Sequence, residues 1–349
     1  MTASARGADR GVRLAPGAFV LDPPLAQAAL SGYSDLPMRL VARRHGAPYA
    51  LQEVVIDEHL LKRGRLQRRF LEVHPEDHPL GGQLLGSSPE RMAEAAKLLV
   101  LAGHDAIDLN FACPVARMLG RGRGGHLLGE PEKALAIVDS VVQAVGDRVP
   151  VTLKLRRGTD DSPEAERRFF RILLGAFEFG IAAATVHGRT VAQKYEGPSD
   201  WSFLARVRRE IGDRTLIGSG DLFEAEDVPR MLRETGVDGV SVARGCVGNP
   251  FLFSMARALL RGERPEPPSP ADLGEALLTH WRLAVRHYGG EAKAISSLRM
   301  HAIRYAARLP DPIRARDAMV AIRGPSEFVP AVVSTFGCRE DAPGVLGGD

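Results

Sequence analysis

The sequence predicts a (β/α)8 TIM barrel followed by a small all-helical C-terminal domain, on three observations. Between about residues 25 and 260, short apolar segments alternate eight times with amphipathic ones. Such alternation is the signature of parallel strands joined by crossover helices. The run Pro265-Glu-Pro-Pro-Ser-Pro270 then breaks the pattern. After it come helical stretches with no strand between them. An open doubly wound sheet is the alternative for the first part.

The apolar segments place strands at 27–31, 49–55, 80–84, 106–111, 151–155, 183–187, 215–218 and 239–243. Helical periodicity places helices at 35–45, 88–102, 131–145, 162–179, 199–211, 224–235 and 249–260. Two of these open on a cap followed by proline, Ser88-Pro89 and Ser162-Pro163. Residues 57–70 are short and ambiguous in pattern. Beyond the break, helices are expected at 271–288, 291–308 and 313–322. The resulting plan is a loose tail over 1–17, a barrel over 18–262, a linker over 263–270, a helical domain over 271–330 and a second tail over 331–349.

Bulk numbers fit this plan. The 349 residues are 44% hydrophobic and 26% charged, a composition that buries a large core. A net charge of +3 permits a nucleic-acid partner without demanding one. Cys113, Cys246 and Cys338 are odd in number and widely spaced, which argues against a disulfide framework and for a reducing cytoplasm. No apolar run approaches the roughly 18 residues of a membrane span. His74 and His78 have metal-like spacing, but prolines flank them, so no metal is expected. His280 and His287, seven residues apart, read as a solvated stripe.

In a barrel, chemistry gathers where the strands end at their C-terminal side. Glu53, Gln83, Asn110, Lys154 with Arg156, and His187 with Arg189 close five successive strands. Side chains two apart share a strand face, so Asp108 accompanies Asn110. Five polar endings are costly unless a ligand or solvent meets them. Cys113 follows the fourth strand, beside the cationic loop Gly120-Arg-Gly-Arg-Gly-Gly125, a setting suited to proton donation toward a large anionic substrate. The seventh and eighth strands end in Gly218-Ser219-Gly220-Asp221 and Ala243-Arg244-Gly-Cys246. Small residues there let backbone amides approach a phosphate, and Arg244 adds a charge. A bound phosphate opposite Lys154 points to flavin mononucleotide across the barrel mouth.

Taken together, Asn110-Phe-Ala-Cys113-Pro114, Thr185-Val-His-Gly-Arg189-Thr, Tyr195-Glu-Gly-Pro-Ser-Asp-Trp201 and Arg244-Gly-Cys-Val-Gly-Asn-Pro250 resemble the tRNA-dihydrouridine synthases. The resemblance runs from about residue 28 to 322. It implies an FMN-bearing barrel with a helical RNA-binding domain, NADPH as reductant and tRNA as substrate. It places the catalytic proton donor at Cys113. Flavin contacts fall at Gln83, Lys154 and His187 and along Ala29-Leu30-Ser31. The phosphate grip falls on Ser219, Gly220, Asp221, Ala243 and Arg244. On the substrate side it implies Asn110 and His187 against the uracil, with Arg156 nearby. Arg189, Arg121 and Arg123 would meet phosphates, and Arg282, Arg286, Arg299 and Arg304 would contact RNA from the helical domain. The expected protein is a monomer. Departures stand at Ala29, where proline is usual, Ser219 for asparagine, Ala243 for glycine and Ala112 for glycine. Arg299-Met300-His301 replaces an Arg-Lys-His run. Two other functions use similar parts: a flavin reductase of a small pyrimidine, and a barrel that has lost catalysis and only binds RNA.

Overall fold

The computed structural model describes residues 11–14 and 19–340. An antiparallel pair, β1 (Val12–Arg13) and β2 (Val20–Leu21), comes first. The barrel strands are β3 (Leu25–Gln27), β4 (Ala50–Leu51), β5 (Val55–Ile56), β6 (Leu80–Leu85), β7 (Ala106–Phe111), β8 (Val151–Arg156), β9 (Ala183–His187), β10 (Thr215–Ser219) and β11 (Gly239–Val242). All pair in parallel, in the order β4-β3-β11-β10-β9-β8-β7-β6-β5, and β4 also pairs with β6. That last pairing closes the ring. β4 and β5 are two halves of one barrel strand, so the barrel has eight staves, as the alternation implies.

Alternating side chains divide the barrel. Ile107, Leu109 and Phe111 point outward into the main apolar cluster with Leu99 and Val138. Asp108 and Asn110, between them, hydrogen-bond across the interior. The N-terminal end is plugged by Val12, Leu14, Leu21, Tyr49, Ala106, Ala183 and Ile217. The predicted loose tail is therefore corrected at Val12 and Leu14, which are buried because they cap the barrel's floor. The rest of that tail lies outside the described residues, except Gly11 and Arg13.

The 57–70 segment forms two short helices, α2 (Asp57–Leu61) and α3 (Arg65–Leu71), preceded by α1 (Leu36–Arg44). Next come α4 (Pro89–Leu101), α5 (Ala116–Leu119), α6 (Pro131–Val145), α7 (Pro163–Glu178), α8 (Trp201–Ile211), α9 (Asp227–Thr235) and α10 (Phe251–Leu260). Behind α1, Asp77 is fully buried against Arg39 at 2.7 Å and close to Arg43. Removing one member of a buried ion pair strands the other, at a cost of about 3–5 kcal/mol. Asp77→Ala is expected to lose about that much in a urea melt; an unchanged midpoint would mean that the two arginines reach water.

Four helices follow the barrel: α11 (Pro270–Tyr288), α12 (Glu291–Ala306), α13 (Pro312–Ala321) and α14 (Pro325–Phe336). The helical unit begins at Pro270, behind a capping box of Ser269 and Asp272. The expected tail from 331 is corrected: α14 continues through it, burying Val332 and Phe336, while Phe328 stacks on Trp281 at 4.5 Å. Residues 341–349 lie outside the described residues. His280 is not solvated either; it is buried, 4.6 Å from the ring of His301. Asp35 joins the two units, since it caps α1 through Met38 N and accepts from the hydroxyls of Tyr288 (2.6 Å) and Ser297 (3.2 Å). Among the described residues, no helix is long and apolar enough to cross a membrane.

Candidate active site

β6, β7 and β8 carry a continuous polar chain inside the barrel mouth. Asp108 accepts from Thr152 Oγ1 at 2.6 Å and from Gln83 Nε2 at 2.7 Å. Gln83 Oε1 accepts from Asn110 Nδ2 at 2.7 Å. Asn110 Oδ1 in turn accepts from the amides of Ala112 and Cys113, both at 3.0 Å. The strand network thus fixes the turn that presents the thiol. Gly124 packs against that turn at φ +61°, where an added Cβ would stand 2.8 Å from Cys113 Cβ. Glycine is required there on both counts. Burial pushes the Cys113 thiol up, opposed by the Val115 amide and by Arg156. The sulfur therefore stays protonated at neutral pH.

Lys154 pairs in register with Asn110, and its ammonium has no hydrogen bond or ion pair among the described residues. Burial brings its pKa down to about 8, against the attraction of Asp108; Arg156 adds to the lowering. Burial likewise raises the Asp108 carboxyl, resisted by Thr152, Gln83 and Lys154. His187 is held down to about 2 by burial and by Arg156, Lys154, Arg189 and Arg244. It is a neutral imidazole, with Nε2 3.3 Å from Arg189 Nη1.

Several arginines of the mouth bind acceptors within the protein itself. Arg156 gives its guanidinium to the carbonyls of Ala112 (2.9 Å), Thr190 (2.9 Å) and Lys194 (2.5 Å), clipping the thiol loop to the 190–195 loop. Arg189 forms a two-pronged pair with Asp221, 2.8 Å on each oxygen, and donates to Gly197 O. Arg123 is buried and bound to Glu58 at 2.7 Å. Arg189 engages all three guanidinium nitrogens inside the protein, whereas Arg156 bonds through Nε and Nη1 alone and Arg123 keeps Nε and Nη1 buried without a partner among the described residues. Arg121 remains exposed. Arg299, in the helical unit, donates to Ile322 O at 3.0 Å.

The loops after β10 and β11 meet at one corner. Gly220 has φ +110°, and a Cβ on it would strike Ser199 Oγ at 2.3 Å and His187 Cδ2 at 2.6 Å. Asp221, at φ +56°, is held there by Arg189 and by the Ser199 amide at 2.8 Å. The backbone amides of Asp221, Leu222, Arg244 and Gly245 donate to no acceptor among the described residues. Two loops with unsatisfied amides form a nest for an anion. Ser219 contributes no hydroxyl to it, since its Oγ bonds Ser241 O at 3.1 Å inside the barrel. Ala243 precedes the nest, and Arg244 lies exposed between Tyr195 (4.9 Å) and Phe223 (5.0 Å), with Asp221 at 3.4 Å. On the opposite side, Ala29 and Leu30 are half-buried and Ser31 is exposed in the loop after β3, which Ser34 Oγ pins to Leu30 at both amide and carbonyl. An unpaired ammonium, a neutral imidazole and an empty-handed amide nest fit a flat anionic cofactor bearing a phosphate. Sequence reading passed over Asp108 and Thr152 as site residues, though the period-two pairing with Asn110 pointed to Asp108. It also gave no role to Tyr195, which sits between Arg156 (5.4 Å) and Arg244.

A family model described as dihydrouridine synthase matches residues 26–336. The chain belongs to the dihydrouridine synthase family. Similar proteins include a probable tRNA-dihydrouridine synthase of Rhodobacter capsulatus, 32% identical, covering 92% of this chain and 97% of that one. The corresponding protein of Mycobacterium leprae is 32% identical over 91% of this chain and 79% of its own. tRNA-dihydrouridine synthase B of Xanthomonas axonopodis pv. citri is also 32% identical, over 84% and 87%. Among solved structures, morphinone reductase in complex with tetrahydroNAD superposes with a TM-score of 0.55 at 15% identity, covering 76% of this dihydrouridine synthase-family chain and 94% of that one. Histamine dehydrogenase from Rhizobium sp. 4-9 gives 0.57 at 14% identity, over 80% and 51%. These last two speak to the barrel fold alone.

Proposed function

We propose that this protein reduces specific uridines of transfer RNA to 5,6-dihydrouridine in the cytoplasm, as a monomer, with FMN bound and NADPH as reductant. The observation that carries the reading is a protonated thiol fixed at the barrel mouth by Asn110, with the unpaired ammonium of Lys154 on the adjacent strand in register with that asparagine. When bound, FMN supplies the hydride that it takes from NADPH and passes to C6 of the uracil. The Asp221, Leu222, Arg244 and Gly245 amides with the Arg244 side chain would hold the FMN phosphate, and Gln83 and Lys154 would hold its ring. Cys113 gives its proton to C5, and solvent later replaces that proton. Asn110 keeps the sulfur in place, and His187, being neutral, can bond a carbonyl without adding charge. Asp108 lies beneath Lys154 and keeps the amine charged at neutral pH. The target base must leave its stack, at a cost of a few kcal/mol that contacts elsewhere on the RNA offset.

The deciding experiment incubates the protein with FMN, NADPH and unmodified transfer RNA and maps dihydrouridine by mass spectrometry. No product, with flavin bound, would sink the reading. A second measurement isolates Lys154. With a pKa near 8, it is charged below that pH and loses its charge above it. Flavin reduction by NADPH is expected to slow as pH rises through about 8. Lys154→Met should slow it about 10²-fold at pH 7, in line with losing one electrostatic stabiliser, and abolish that limb. A flat wild-type profile from pH 7 to 9 would contradict the role.

A further inference from the structure

The helix α3 has little support beyond Phe70 and Leu71, which pack half-buried on the barrel core. None of its side chains is fully buried, Gly64 gives it no side-chain cap, and no acidic residue stands in its first turn. Arg65, Arg68 and Arg69 are spaced i, i+3 and i+4, so they share a face and repel one another. With Lys62 and Arg63 they make five exposed cations in eight residues, and residues 59–71 contain no carboxylate. Only Arg69 has an ion pair among the described residues, with Glu53. Phe70 and Leu71 tie the helix to the barrel core, but its exposed face carries one sign of charge, and like charges at i, i+3 and i+4 destabilise a helix until an anionic partner meets them.

Its position identifies that partner. Glu53 also accepts from the Gly32 amide at 2.7 Å, in the loop just after Ala29-Leu30-Ser31 at the barrel mouth. Glu58 of α2 holds Arg123, whose neighbour Gly124 packs on Cys113. The cleft on the other side, lined by Asp35, Arg69, Phe70 and His287, borders the helical unit. The cationic ridge therefore lies on the catalytic face, between the thiol loop and the C-terminal helices.

We propose that Lys62, Arg63, Arg65 and Arg68 form a track for the sugar–phosphate backbone of the RNA substrate. This rests on the reading given under Proposed function and adds where the RNA is gripped. Cations neutralising phosphates release counterions, so each lost contact lowers the slope of log affinity against log salt by about 0.7–0.9.

The test compares two triple variants of the flavin-loaded protein: Arg63→Gln/Arg65→Gln/Arg68→Gln on the ridge, and Arg167→Gln/Arg168→Gln/Arg171→Gln on α7, which remove the same charge. The ridge variant should bind unmodified transfer RNA about tenfold or more weakly at low salt. Its salt slope should fall by about 2–3, and its KM should rise at unchanged kcat. Flavin absorbance and melting temperature should match wild type. The α7 variant should keep the wild-type slope. Equal slopes and affinities in the two variants would overturn the track while leaving the reductase reading intact. Ridge-dependent binding without any uridine reduction would keep the track and remove the reductase. A wild-type protein that binds no transfer RNA would overturn both.

Discussion

Cys113→Ala is expected to bind FMN and oxidise NADPH at the wild-type rate, yet to reduce uridine in transfer RNA about 10²–10⁴ times more slowly, the span of a well-placed general acid. The turn that carries the thiol hangs on Asn110 Oδ1 through two amides, so truncating the sulfur leaves the backbone where it was. Burial, the strongest influence on the thiol, keeps its proton on. The wild-type rate of flavin reoxidation by RNA should therefore stay flat across pH 6–8 and fall only where the thiol ionises. Cys113→Ser should lie between the two, because an alcohol fills the same space but is a weaker acid. Stopped-flow flavin reoxidation, with RNA in excess, reads all three. A Cys113→Ala enzyme that turns over RNA at full rate would remove the proton-donor role and leave the flavin site untouched.

The barrel was legible because its staves are short apolar runs with turn residues between them, and because β7 and β8 end on polar residues at period two. The exceptions have local causes. The second stave is broken at Gln52 and Glu53, whose side chains turn to Phe70 O and Arg69 instead of continuing an apolar face. α14 hid behind β-branched residues and Pro330, and its burial depends on Trp281, some fifty residues earlier. His280 and His287 were assigned to one solvated face, but spacing does not say which face meets a neighbouring helix. The arginines show the deeper limit. Arg123 and Arg189 are expected as phosphate ligands and Arg156 as a substrate-side residue, all in glycine-rich or strand-end positions. What the sequence hides is the set of distant acceptors that orient them: Glu58, the carbonyls of Thr190 and Lys194, and Asp221. A guanidinium's type and place were readable; its partner was not.

Asp35→Ala is expected to be the most destabilising single substitution at the joint between barrel and helices. The carboxylate caps α1 through Met38 N and accepts from Tyr288 and Ser297, which belong to α11 and to α12. Burial alone would raise its pKa, but His280, His301, the Tyr288 hydroxyl and the Met38 amide together hold it below the usual carboxylate range. The alanine variant loses a cap worth about 1 kcal/mol. It also leaves the Tyr288 and Ser297 hydroxyls, 3.2 Å apart, with only each other, so one donor loses its acceptor at about 1–3 kcal/mol. A total of about 2–4 kcal/mol is expected, a fall of about 3–6 °C in melting temperature for a chain of this length. The same cluster makes the joint acid-labile. His280 is pinned at about 3, chiefly by burial, whereas in the unfolded chain it titrates near 6.5. Below pH 6.5 the unfolded state binds the proton and the folded state does not. His280 therefore withdraws about 1.4 kcal/mol per pH unit from there down to about pH 3. Asp35 opposes this by attracting a proton to the imidazole, so its removal should leave the acid limb no shallower. Differential scanning calorimetry of both proteins between pH 5 and 8 checks the two statements together. An Asp35→Ala melting point within a degree of wild type at pH 7.5 would mean that the apolar contact of Leu40 and Val41 with Leu283 holds the joint without the carboxylate.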